Sequence, residues 1–324
     1  MPLPRQKEDK MGHESVILLR DKLVAIPEGF PEVTYFINPD VSIDDMMRFH
    51  DVPLVRRPSN RPVVSTNNVI TADGALSLGD YRLKDTGIGL SGGGINGIHL
   101  IGKRPNLQGA EADGRLLQIG WVFDEATVAT ASVLRAERKL LWKPWAPDIS
   151  KLFMEKFARE QAIRVIVTRN AFSKDELMEF DVFNQDGDSN IKAIIATTDS
   201  GLVRHRSEVS GMRKKPNVEI VSFGEKDVDV VRLVQFLWEK HGVKGIDWQG
   251  GGSLTAAAIK TGIVDIYRLT VSPILAGSIN FEGKKLPVSN EGYFELMRLP
   301  SMRLRRVGFC YSHYMKIYDN LISE

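Results

Sequence analysis

Cysteine is nearly missing from this chain: its 324 residues hold one, Cys310. A single thiol excludes an intramolecular disulfide framework and any cysteine-built zinc cluster, and it fits a reducing compartment. No apolar run approaches the roughly 18 residues that a membrane-crossing helix needs. The opening MPLPRQKEDKMGHES has no apolar stretch behind its charges, so no secretory leader is expected. Neither sign of charge dominates. With 43 Lys+Arg against 41 Asp+Glu the formal net charge is +2, which offers no bulk attraction for nucleic acid. The six histidines form no HExxH or other close metal pair, and no G-x-S-x-G elbow marks a nucleophilic serine. No metal site is expected. What is left is a cytoplasmic α/β protein, 43% hydrophobic and long enough for a sizeable core.

Residues 1–14 are polar, and 15–60 carry short apolar runs (SVILL, LVAIP, VTYFI) broken by Pro and Asp, read as an N-terminal extension packing on a main domain. RRPSNRP, 56–62, reads as the boundary. VVSTNNVI is strand-like. Residues 80–114 are loop-rich, with nine glycines between Gly87 and Gly114, and are expected to be an irregular insertion. From about 115 strands and helices alternate. RLLQIGWVF is helical, EATVA a strand, SVLRAERKLL a helix. IRVIV and KAIIAT are buried-strand runs, VEIV follows them, KGIDW is a strand, and 227–242 is an amphipathic helix stopped by Gly242. The basic run 202–216 reads as a solvated loop, or as a contact for an anionic group through Arg204, Arg206 and Arg213. DIYRLTVSPIL is a strand, and MRLRRVGFCYSHYMKIYD a closing β-hairpin. The alternation implies an α/β fold with a largely parallel sheet.

Four segments carry candidate chemistry. In IDWQGGGSLTAAAIKTGIVD, 246–265, a strand runs into three glycines and an Ala-rich helix, with Ser253 at the expected N-cap. Glycines admit a ligand close to backbone, and a helix start offers N–H groups to a phosphate, although a tight turn alone would use one or two of them. In STNNVITADGALS, 65–77, polar side chains end a strand, as at a ligand rim or an Asp-Gly turn. TVATASVLRAER, 127–138, runs from strand to helix through small residues, with Ser132 as the alternative plain cap. Gly87, Gly89 and Gly92 spell G-x-G-x-x-G, but YRLKDT before them is a poor strand, so the fingerprint is read as a flexible loop or lid.

Taken together, these motifs resemble the dihydrofolate-reductase-like reductases of riboflavin biosynthesis. That family opens with a strand ending S/T-L-D-G, matched here by TADG, 71–74. Archaeal-type members carry an Asn six residues before that Asp, where Asn67 stands. The middle motif V-G-A-G-T-V-R-A-E is similar to ATASVLRAE, 129–137. The late motif, E-G-G-x-x-L, G-L-V-D-E-L and P-V-L-L-G, is similar to QGGGSL, GIVDIY and SPILAG within 249–277. The resemblance covers residue 61 to the end. It implies a three-layer dihydrofolate-reductase-like domain over 61–324, with a mixed, mostly parallel central sheet flanked by helices and the Gly-rich insertion at about 80–114.

The resemblance also implies NADPH as cofactor, a homodimer, and reduction of the ribosyl group of a pyrimidine ribosylamine 5′-phosphate to ribityl. Carried over residue by residue, Asn67, Asp73 and Gln249 are the catalytic candidates, with Arg135 joining Asn67 and Asp73 at the substrate. Thr71, Thr130, Ala131, Thr197, Thr198, Gly250, Gly251, Gly252 and Ser253 are the cofactor candidates. The departures are Gln249 where the family has Glu, Thr130-Ala131 for Gly-Ala, and Asp265-Ile266-Tyr267 for D-E-L. Gln hydrogen-bonds but shuttles no proton. A reductase of another carbonyl or heterocycle, or a non-catalytic nucleotide-binding module, are the alternatives this departure keeps open.

Overall fold

The computed structural model describes residues 16–19, 22–25, 32–35, 43–50, 58–70, 81–83, 88–90, 109–158, 161–170, 172–185, 191–212, 215–271, 302–310 and 313–320. The strands are β1 (Val16–Leu19), β2 (Lys22–Ala25), β3 (Glu32–Tyr35), β4 (Val63–Ile70), β5 (Tyr81–Leu83), β6 (Ile88–Leu90) and β7 (Ala126–Thr130). They continue with β8 (Ala162–Val167), β9 (Ile191–Thr197), β10 (Val218–Ser222), β11 (Gly245–Trp248), β12 (Ile266–Val271), β13 (Met302–Cys310) and β14 (His313–Asn320). The helices are α1 (Ile43–His50), α2 (Gly109–Phe123), α3 (Ala131–Ala136), α4 (Pro147–Phe157), α5 (Lys174–Glu179), α6 (Asp199–Arg204), α7 (Arg206–Met212), α8 (Val230–His241) and α9 (Gly252–Lys260).

Long apolar runs buried on both faces make a parallel sheet. All six residues of β8 and all six of β12 are buried. The large sheet has the order β10-β9-β8-β7-β11-β4-β12-β14-β13-β3. From β10 to β12 every pairing is parallel. Beyond β12 the expected closing hairpin β13–β14 turns the sheet antiparallel, and β3 adds to β13 in parallel. The sheet is therefore mixed and mostly parallel, as expected.

Strand residues alternate between two cores. On one side Ala129, Ile166, Ile195 and Ile220 pack with Trp121 and Leu116 of α2, Phe153 of α4, and Met46 and Phe49 of α1. On the other, Val128, Val165, Ile194, Ile246 and Trp248 pack with Leu233 and Leu237 of α8 and Ala258 of α9. Helices on both faces make three layers.

Helix ends follow local chemistry. The Asp229 carboxylate accepts from Val231 and Arg232 N–H to start α8, and Gly242, at φ +65°, ends it where expected. Other boundaries differ from the sequence expectation. The helix expected over SVLRAERKLL stops at Ala136, because Glu137 leaves helical geometry. Within the basic run, residues 202–204 and 206–212 are helical rather than loop: the Thr198 hydroxyl accepts from Gly201 N–H and starts α6, and α7 follows; Arg213 lies outside the described residues. Helix α2 begins at Gly109, inside the stretch expected to be irregular, where the buried Asp113 carboxylate accepts from the Thr270 hydroxyl of β12.

Candidate active site

In an open parallel sheet a ligand settles outside the carboxyl ends of the strands, where the chain's direction of travel across the sheet reverses. That point lies between β7 and β11. From β7 the chain proceeds outward to β8, β9 and β10, then returns to lay β11 on the other side of β7. Two strand-to-helix turns flank the crevice. Thr130 ends β7 and precedes α3, and the end of β11 leads through Gln249, Gly250 and Gly251 into α9. The Gln249 N–H donates to Val128 O at 2.8 Å, so the two turns are tied at their base.

Neither helix start is capped by a side chain. The cap of α9 is Gly251, not Ser253, which lies one position inside the helix. The three glycines have different reasons. A Cβ on Gly250 would stand 2.9 Å from the Leu254 Cβ, so packing within the protein explains that residue. A Cβ on Gly251 would meet nothing within 4 Å, so the fold leaves open the space in front of it. Gly252 and Ser253 open the helix with N–H groups that have no carbonyl a turn behind them. Along the same edge, Thr130 Oγ1 and Ser132 Oγ share a 2.6 Å hydrogen bond, and the buried Thr197 hydroxyl has no partner among the described residues. An open glycine, free helix N–H groups and an orphaned hydroxyl on one strand edge suit the phosphates of a dinucleotide.

The other expected residues divide. Asn67, on β4, is half-buried and opposite Arg268 of β12. Ala131 begins α3, buried beside Thr130. Thr198 is committed to structure, accepting from Gly201 N–H and donating to Arg169 O at 2.7 Å. Arg135 pairs with Glu176 at 2.6 Å and lies over the Phe172 ring. Thr71 and Asp73 lie outside the described residues, as does most of the Gly-rich stretch.

Beneath Gln249 is a polar layer that the motifs do not announce. Asp247, on the α2 side of β11, is buried, and accepts from Gln249 Nε2 at 2.6 Å. Burial, then the nearby Asp124, pushes the Asp247 carboxyl up to about 7. Asp124 is itself raised to about 6 by burial. Arg268, held to His50 O at 3.2 Å, lowers both carboxyls. His50 is held well below its usual range, by burial first and Arg268 second. The fully buried Arg164 donates to Trp142 O at 2.9 Å and Thr127 Oγ1 at 3.2 Å, and burial pulls it down to about 9. The signal for Arg164, Asp247 and Arg268 is in the sequence: one charge each in IRVIV, GIDW and IYRLTV, buried strands otherwise without charge.

The model of the RibD C-terminal domain matches residues 124–308, more than half of the chain and the whole crevice. The chain belongs to the RibD C-terminal domain family. A 2,5-diamino-6-ribosylamino-4(3H)-pyrimidinone 5′-phosphate reductase of Archaeoglobus fulgidus is 31% identical over 94 residues, 29% of this chain and 40% of that protein. The Aquifex aeolicus protein of the same name is 28% identical over 125 residues, 38% of this chain and 49% of its own length. The matched region thus spans less than half of either relative. Among solved structures, a pyrimidine reductase-like protein of Corynebacterium diphtheriae superposes with TM-score 0.54 at 15% identity, covering 82% of this chain and 94% of that one. Acinetobacter baumannii RibD, form 2, gives 0.51 at 13%, covering 81% and 58%. At such identities the likeness is one of fold, and it agrees with the three-layer sheet described above.

Proposed function

We propose that this chain is an NADPH-dependent reductase of a small, polar pyrimidine ribosylamine 5′-phosphate, turning its ribosyl group into ribityl. The observation that carries the reading is the pair of uncapped helix starts across the β7–β11 switch point, in a chain of the RibD C-terminal domain family. The cofactor, when bound, supplies the hydride.

The protein's part is binding and orientation. Backbone N–H groups at Gly252 and Ser253, with Gly251 leaving room, would hold the pyrophosphate, with Thr130, Ala131 and the Thr197 hydroxyl beside it; the family resemblance adds Thr71 to this set. Asn67, within β4, and Asp73, assigned by the resemblance, would position the substrate, and Asp73 or a water would deliver the proton. Arg135 has Glu176 to neutralise it and needs a phosphate stronger than that partner. Thr198, already spent on the α6 cap, contributes through its backbone only. Gln249 hydrogen-bonds but does not shuttle protons.

A second reading keeps the cofactor and changes the substrate to another heterocycle or carbonyl compound. It is favoured by Gln249, whose amide is engaged with Asp247 and Trp142 rather than being a titratable carboxyl. The proposed division keeps residues 1–60 as an extension packing on a 61–324 reductase domain; in its support, Met46 and Phe49 of α1 lie in the shared core and β3 pairs with β13. We take the enzyme to be a cytoplasmic homodimer, as the family resemblance implies. Among the described residues no helix is long and apolar enough to cross a membrane. Light scattering at twice the 36.2 kDa chain mass supports the dimer, and the chain mass alone refutes it.

The test is NADPH oxidation on adding the ribosylamine pyrimidine 5′-phosphate, with a panel of other carbonyl and heterocyclic substrates beside it. Turnover of the pyrimidine supports the first reading, and turnover of a panel member alone supports the second. Binding of NADPH with no turnover of any would point to a nucleotide-binding module.

A further inference from the structure

At the floor of the crevice the Gln249 side chain is held at both ends of its amide. Trp142 Nε1 donates to Gln249 Oε1 at 3.0 Å, and Gln249 Nε2 donates to Asp247 Oδ2 at 2.6 Å. This fixes which end is oxygen and which is nitrogen, because an indole N–H can only donate and so takes Oε1, which leaves Nε2 facing the Asp247 carboxyl. Both anchors are themselves held. Trp142 is 1% exposed and adopts φ +50°, a left-handed conformation rare for a large side chain. Residues in such strained backbone persist where their surroundings over-determine them, and they gather at functional sites. Here the surroundings are Arg164, which donates from beneath to Trp142 O. Asp247 lies under α2 at Gly120, where a Cβ would come within 3.1 Å of Asp247 Oδ2. Arg164 and Arg268 both act electrostatically on Asp247. Arg164, Trp142, Gln249 and Asp247 thus close a ring around one amide.

We propose that Trp142 and Asp247 are positioning residues that lock the Gln249 amide, so that the polar hydrogen left for a ligand is the second one on Nε2. Among the described residues nothing else accepts from it. A locked donor there selects a substrate atom that accepts, a carbonyl oxygen or an unprotonated ring nitrogen, over a hydroxyl that must donate. The inference rests on the proposed reductase reading for its substrate. The orientation of the amide does not depend on it.

The test therefore has one arm independent of turnover. In protein labelled with 15N-glutamine, the Gln249 side-chain signal is assigned by its loss in Gln249→Glu. Trp142→Phe keeps an aromatic ring but removes the donor; it is expected to shift that signal and speed exchange of its hydrogens. Asp247→Asn retains an acceptor oxygen and is expected to preserve slow exchange. In the kinetic arm, losing one anchor raises KM for the pyrimidine roughly three- to tenfold in Trp142→Phe, with KM for NADPH unchanged. Gln249→Glu brings two carboxyls together and is expected to lose more, and adding Asp247→Asn, whose amide can donate to the new carboxylate, restores part of the loss.

An unshifted Gln249 signal in Trp142→Phe overturns the proposal, as does a KM that rises equally for NADPH and the pyrimidine, or a double variant no better than Gln249→Glu. If the wild-type protein turns over no substrate, the functional reading fails while the exchange result still decides whether the amide is locked.

Discussion

Replacing Arg164 by methionine tests whether the buried guanidinium is the clamp that sets the floor of the crevice. The side chain is fully buried and donates to Trp142 O at 2.9 Å, Thr127 Oγ1 at 3.2 Å and Ile163 O at 3.2 Å. Methionine fills a similar volume and makes none of these bonds. Trp142 O is the most exposed to the loss, since its residue is held in a left-handed conformation. Each buried polar group left without a partner costs about 1–3 kcal/mol. Asp247 also loses one of its two nearby cations. Against this, the guanidinium no longer has to be stripped of water, a saving of several kcal/mol in itself. Removing one member of a buried charged network typically leaves a net cost of about 3–5 kcal/mol. At a urea slope of about 3 kcal/mol/M, that is a fall in midpoint of roughly 1 M or more. Arg164→Lys keeps the charge but cannot fork to two oxygens, and is expected to fall between. Equilibrium urea unfolding followed by far-UV circular dichroism reads all three proteins. Arg164→Met within about 1 kcal/mol of wild type would refute the clamp.

Three further outcomes follow. Asp247 is raised to about 7, so the folded state holds its proton more tightly than the unfolded chain does, and it draws stability down as pH rises from about 4 to about 7. Asp247→Asn should flatten that part of the stability–pH curve, with Asp124, raised to about 6 under the same Arg268, moving as well; an unchanged curve contradicts the buried pairing. Asp265, in the segment that departs from D-E-L, takes a two-pronged contact from Arg61 at 2.7 and 2.8 Å and a bond from Val64 N–H at 2.8 Å, pinning the start of β4 to β12. Asp265→Ala should cost about 2–4 kcal/mol in thermal or urea unfolding, and a loss under about 0.5 kcal/mol would show the pin to be dispensable. Gly251→Ser should leave the melting temperature unchanged or slightly higher, because serine caps a helix better than glycine and its Cβ would meet no atom within 4 Å. It should weaken NADPH binding on the order of tenfold by filling the approach; unaltered binding would remove Gly251 from the cradle.

The fold was largely legible because its signals are local. β8 and β9 announce themselves as apolar runs each broken by a single cation, α8 by its stripe with Asp229 before and Gly242 after, and the hairpin β13–β14 by its length. The glycine turn at 249–252 was legible for the same reason. What escaped depends on contacts distant in sequence. The Thr198 hydroxyl is taken by the cap of its own helix, where it accepts from Gly201 N–H, and by Arg169 O, 29 residues away, to which it donates. Arg135 looks like a phosphate partner and has Glu176, 41 residues away, beside it. Trp142 carries no motif at all; its role appears only once β8 brings Arg164 beneath it and β11 brings Gln249 beside it. Asp247 and Arg268 each had a weak mark, a charge within an apolar strand, but their pairing rests on β11 and β12 flanking β4.

The central claim, a dinucleotide seated at the β7–β11 crevice, is tested most directly by titrating the purified protein with NADPH and with NADH. Tryptophan excitation is used, and energy transfer to the nicotinamide is followed. The account predicts saturable NADPH binding, on the order of micromolar, with NADH weaker, and Gly251→Ser shifted relative to wild type. A folded protein that binds neither nucleotide would contradict it, and would reduce the glycines before α9 to a tight turn.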